Sequence, residues 1–138
     1  MRRPRLSLAV VLGLAIAGAA ASGLAFGREL AEQTSRDRGV TVRAKPVDVS
    51  PGAKAWTFEI VLETHSAELT DDLQRTATLA GAGGTTQGAS AWEGDPPGGH
   101  HRKGVLRFAP IAPQPDALVL RIQRPGESAP RSFRWALK

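Results

Sequence analysis

From Trp56 to Thr64 the chain alternates. Trp56, Phe58, Ile60 and Leu62 fall on one parity, and Thr57, Glu59, Val61 and Glu63 on the other. A period of two places one set on a buried face and the other on a solvated one, which an extended strand does and a helix does not. The pattern returns at Leu118, Leu120 and Ile122, and again at Phe133, Trp135 and Leu137. Single-faced burial of this kind belongs to antiparallel sheets. Weaker strands are predicted over residues 40–44, 47–49, 76–79, 87–92 and 105–108, with Pro46 marking an edge or a switch point. Turn signals separate them at Ser50-Pro51-Gly52, Gly81-Ala82-Gly83-Gly84, Asp95-Pro96-Pro97-Gly98-Gly99 and Arg124-Pro125-Gly126. About seven short strands at this spacing predict an all-β, antiparallel β-sandwich. Ala67 to Arg75 carries a helical hint, but Asp71 and Asp72 read as a turn between strands.

Ahead of the strands stands a different kind of segment. Arg2, Arg3 and Arg5 precede an apolar stretch from Leu6 to Phe26, broken only by small residues. This predicts a signal peptide or an uncleaved membrane-anchor helix over residues 1–27, because a basic start and an apolar run of about 20 residues suit either. Ala19-Ala20-Ala21 offers a signal peptidase its small residues. The basic end would stay in the cytoplasm and the rest would be exported, to the periplasm or another extracytoplasmic space. Residues 28–38 are polar and read as a tether or a short frayed helix, leaving 39–138 as the sandwich domain.

Charge and cysteine content exclude several function classes. The sequence pI is about 10.7, yet from Arg28 onward fifteen Lys and Arg face thirteen Asp and Glu. These charges are interspersed, so no basic patch for nucleic acid is expected. There is no cysteine, which removes disulfides, thiolate metal sites and a cysteine nucleophile. The glycines at 81–84 lead into Thr85-Thr86-Gln87 rather than a helix with a nearby lysine, so they form a hairpin and not a phosphate loop.

The chemistry-bearing side chains are few. His100 and His101 follow the Gly/Pro-rich loop, and His65 closes the best strand. Neutral imidazole is a common metal ligand, and His65, His100 and His101, with Asp95, Glu93 or Asp71, would suit Zn²⁺ or Cu²⁺ if they converged. The pleat opposes this, since His100 shares parity with Leu106 and Phe108 while His101 points the other way. Ser66, His65 and Asp71 contain the residue types of a triad, but no Gly-x-Ser-x-Gly elbow accompanies them. Asp71 and Asp72 are neighbours at a turn rather than carboxyls across a cleft. Trp56 and Trp135 sit at inward parity as core residues, and Trp92 caps the core or lines the rim.

Trp56-Thr57-Phe58 leading to Thr64-His65-Ser66, then Trp92-Glu93-Gly94, then Gly98-Gly99-His100-His101-Arg102-Lys103-Gly104, and finally Phe133-Arg134-Trp135, resembles a group of small exported prokaryotic domains. The resemblance spans about Val40 to Leu137. It implies an immunoglobulin-like sandwich, no particular activity and no catalytic residue. The expectation is therefore a non-enzymatic, envelope-associated module that binds another envelope protein, touching the membrane only through its N-terminal segment. A periplasmic Zn or Cu binding or sensing domain is the alternative.

Overall fold

A computed structural model describes residues 30–138. The signal or anchor helix expected over residues 1–27 lies outside the described residues. Nine strands and one short helix follow in the order β1 (Gln33–Asp37), β2 (Val40–Asp48), β3 (Trp56–Thr64), α1 (Leu73–Thr76), β4 (Ala77–Gly81), β5 (Thr86–Gly88), β6 (Ala91–Gly94), β7 (His101–Phe108), β8 (Ala117–Ile122) and β9 (Arg131–Ala136). They form two antiparallel sheets, β1-β2-β3-β7-β6 and β5-β4-β8-β9.

The alternation read from the sequence is what joins the sheets. Trp56, Phe58, Ile60 and Leu62 of β3 and Leu106 and Phe108 of β7 are fully buried, and they share one core with Leu79, Leu118, Leu120, Ile122, Phe133 and Trp135 of the other sheet. Phe58 meets Phe108 edge-on at 5.7 Å and Trp135 at 5.7 Å, so one ring contacts both sheets. Such aromatic pairs add about 0.5–1.5 kcal/mol beyond area burial.

Four expectations change. The strands number nine rather than seven. Residues 40–44 and 47–48 belong to one strand, β2, which ends before Val49 and whose register against β3 shifts between Pro46 and Asp48. Val47, the residue left without a partner on β3 at this bulge, is 63% exposed. Residues 87–92 divide between β5 in one sheet and β6 in the other.

The fourth change is the polar segment read as a tether, because residues 33–37 are strand β1, paired with β2 from Gln33↔Ala44 to Asp37↔Val40. Arg38 and Gly39 alone connect the two, with φ of 49° and 75°, and positive φ at both turn residues matches the twist of a tight hairpin. With little apolar surface to bury, β1 is held by polar bridges to β9. Trp135 Nε1 donates to Ala31 O at 2.7 Å, and the Gln33 amide bonds both the N–H and the carbonyl of Arg134. Arg131 Nη1 and Nη2 reach Ser35 O at 3.2 Å and Asp37 O at 2.9 Å. The hairpin of one sheet is thereby fastened to the edge strand of the other.

Candidate functional site

The loops joining β3 to β4, β6 to β7 and β8 to β9 gather with the β1–β2 turn at one end of the sandwich. Here the β3–β4 and β6–β7 loops zip together. Thr64 N donates to His100 O at 3.0 Å, Leu69 N to Gly99 O at 2.9 Å and Gly98 N to Leu69 O at 2.8 Å. Leu69, fully buried, plugs the core beneath them.

Arg102 organises this end. It lies on the inward parity of β7, in line with Leu106 and Phe108, and only 1% of it is exposed. Its guanidinium donates to carbonyls: to Asp71 O at 2.7 Å, to Leu69 O at 3.4 Å, and twice to Asp95 O at 3.3 and 3.1 Å. Burial lowers its pKa, an effect opposed by the nearby charges of Asp71, Asp95 and Asp72. The ring of Trp92 lies 5.7 Å from the guanidinium carbon, and its Nε1 also donates to Asp95 O, at 3.0 Å. Trp92 fits because Gly94 and Gly104 pair directly beneath it. A Cβ on Gly104 would stand 2.7 Å from Gly94 Cα and from the Trp92 ring. The Gly/Pro-rich loop is closed further by Asp95, whose carboxylate accepts from Lys103 N at 2.9 Å.

Beside Arg102 runs an alternating chain of buried charges. Arg124 donates to both oxygens of Asp71 at 3.0 Å and to Glu127 at 3.1 Å. Arg131 in turn binds both oxygens of Glu127 at 2.7 and 2.8 Å. Bidentate guanidinium–carboxylate pairs are the strong form of the interaction. The bonds from Arg131, then those from Arg124, hold Glu127 below the usual carboxylate range. Burial pushes Arg124 down, but its bonds to Asp71 and Glu127 outweigh this and leave it raised. Among the described residues no buried side-chain nitrogen or oxygen lacks a partner, so these groups are spent on the fold rather than aimed at a ligand.

The histidines stand apart from this network. His65, His100 and His101 are all exposed. His101 opposes Glu63 across β3 and β7, with Nε2 3.7 Å from Glu63 Oε1, and Glu63 is already bound to Arg43 at 2.7 Å. Among the described residues no three His, Asp or Glu side chains come together as a metal-holding group. Asp71, considered for both a metal and a triad, has both oxygens on Arg124. Ser66 Oγ instead lies 3.4 Å from Thr64 Oγ1.

At the opposite end, where the described chain begins, a groove of about 740 Å³ is lined by Leu30, Pro46, Val47, Val49, Pro51 and Leu137, among others. Asp48 on its wall accepts from the backbone N–H and hydroxyl of Ser50, which lowers its pKa. Compared with known proteins, the chain matches no family model, and no curated protein or solved structure resembles it significantly.

Proposed function

We propose that the chain is an exported, envelope-associated, immunoglobulin-like module that binds another envelope protein through its loop end and performs no catalysis. Residues 1–27 would direct it to the membrane as a signal or an anchor. The strand orders β2-β3-β7-β6 and β9-β8-β4-β5 support the immunoglobulin-like reading. They correspond to A-B-E-D and G-F-C-C′ of that architecture, with β1 added at an edge.

The observation that carries the binding role is the preorganisation of the Gly94–His100 loop. Arg102, Trp92 and Asp95 fix its base from below, while Pro96 and Pro97 at its tip, and His100 where it enters β7, remain exposed. A loop already ordered loses less conformational entropy on binding, so more of its contact energy survives as affinity. Loops carried on a rigid scaffold are also where binding residues concentrate.

A photo-crosslinking residue at Pro97, compared in intact cells with one at Thr34 on the β1–β2 hairpin, tests the surface. A discrete adduct at Pro97 alone is expected. Equal labelling at both positions, or none, removes the loop end as the contact. Cell fractionation with protease accessibility tests export, and a protected cytoplasmic domain refutes it.

A further inference from the structure

The outward faces of the two sheets differ in how their charges are matched. On the outward face of β2, β3, β7 and β6 cations and carboxylates alternate from strand to strand, giving Arg43–Glu63 at 2.7 Å, Lys103–Glu59 at 3.8 Å and Arg107–Glu93 at 2.8 Å. The last of these pairs lowers Glu93 and raises Arg107 through their shared hydrogen bonds. The outward face of the β5-β4-β8-β9 sheet has no carboxylate on its strands. The register sets Arg121 between Thr78 and Ser132, and Val119 between Ala80 and Arg134. Arg121 and Arg134 are thus diagonal neighbours on adjacent strands, roughly 7–8 Å apart. Among the described residues neither guanidinium has a hydrogen-bond or ion-pair partner.

We propose that this face docks on an anionic phospholipid bilayer, with Arg121 and Arg134 bound to lipid phosphates. Guanidinium is suited to phosphate, which it can grip with two donors, and the hydroxyls of Thr78 and Ser132 flank Arg121 as further donors. The side chains around them are small, which leaves a flat face suited to a plane of headgroups. No aromatic residue lies on these outward positions, so the face lacks the anchors that usually dominate a protein contact. Each arginine near an anionic surface contributes about fivefold in binding, and the pair roughly 30-fold. That is weak for a free domain but enough to orient one already tethered at high effective concentration. The proposal rests on the membrane-directed reading of residues 1–27 and adds a second membrane contact to it.

The experiment uses the full chain reconstituted into vesicles of phosphatidylcholine, with or without phosphatidylglycerol. The natural sequence has no cysteine, so Thr86→Cys on the β5-β4-β8-β9 face and Thr34→Cys on the other each accept one fluorophore. Nitroxide-headgroup lipid then reports contact. Quenching is expected at Thr86→Cys but not at Thr34→Cys, only with phosphatidylglycerol, and should disappear at about 1 M salt, where the Debye length is ~3 Å. Arg121→Gln with Arg134→Gln should lower the docked-to-free ratio roughly 30-fold, whereas Arg36→Gln with Arg38→Gln, removing the same charge elsewhere, should leave it unchanged. Equal quenching at the two positions, or quenching that survives the double variant, overturns docking while anchoring stands. A chain that fails to join either vesicle overturns both. Binding of poly-L-glutamate to the face without lipid contact would reassign it to an acidic protein and overturn the lipid.

Discussion

Replacing Arg131 with Ala should release the N-terminal hairpin before it harms the rest of the sandwich. The side chain is 5% exposed and contributes two bonds to Glu127. It contributes four more to the hairpin, at Ser35 O, Ser35 Oγ, Val40 O and Asp37 O. Removing one member of a buried ion pair costs about 3–5 kcal/mol, because the remaining charge and its acceptors lose their partner. Glu127 keeps one bond to Arg124, which places the expected loss near the lower end of that range, about 3 kcal/mol. A domain of this size should lose roughly 4 °C in melting temperature per kcal/mol, so the midpoint should fall by about 12 °C. Urea denaturation gives the stability change, and hydrogen exchange should show protection lost in β1 while the amides of β3 and β8 remain protected. A cost below about 1 kcal/mol, or unaltered protection in β1, would refute the reasoning that polar bridges rather than apolar burial hold this strand.

Gly104→Ala should cost about 1–3 kcal/mol, since its Cβ would meet backbone and the Trp92 ring at 2.7 Å; a near-UV circular dichroism spectrum and stability like those of the parent would show that the β6–β7 contact yields freely. Lowering the pH should weaken the fold through Glu127, whose folded pKa lies below its unfolded value. That contribution is complete above the ordinary Glu value of about 4.3 and lost as pH falls through the folded pKa. Melting temperature against pH should therefore drop below about pH 4.3 with a shallower slope in Glu127→Gln, and identical slopes count against the carboxylate. Titration of the parent with Zn²⁺ or Cu²⁺ at neutral pH should give no stoichiometric site that His65→Ala weakens, because the three imidazoles are exposed and ungathered. A one-to-one site lost in that variant would establish the metal-binding alternative.

The long strands were legible because their alternation is a local property: Trp56 to Leu62, Leu118 to Ile122 and Phe133 to Trp135 each carry their own burial pattern. Arg102 was legible in principle. It shares the parity of Leu106 and Phe108, and a charge at an inward position signals a buried group with obligatory partners. The chain from Asp71 through Arg124 and Glu127 to Arg131 was not, because Asp71 lies in the β3–β4 loop, far in sequence from the β8–β9 loop and start of β9 that carry the other three, and their joining is decided by tertiary packing. β1 escaped because its sequence has almost no apolar period. What makes it a strand is a two-residue turn with Arg38 at positive φ and partners about a hundred residues away. The division of residues 87–92 was hidden for another reason: β5 and β6 are only three and four residues long, too short for a period to declare itself.

The fastening of β1 also determines how the domain would carry a mechanical load. The described chain enters beside the groove, whereas Arg131 grips the hairpin near its turn, at the far end of the strand. Tension applied at Leu30 and resisted at the loop end runs along β1 rather than across it. The ladder with β2 and the bridges from Trp135, Gln33 and Arg131 are then strained together in shear instead of being peeled one after another. Resistance to such a pull is governed by the unfolding rate and not by equilibrium stability. The clamp therefore makes β1, the least apolar of the longer strands, the segment through which a taut N-terminal connection would draw on the whole sandwich at once.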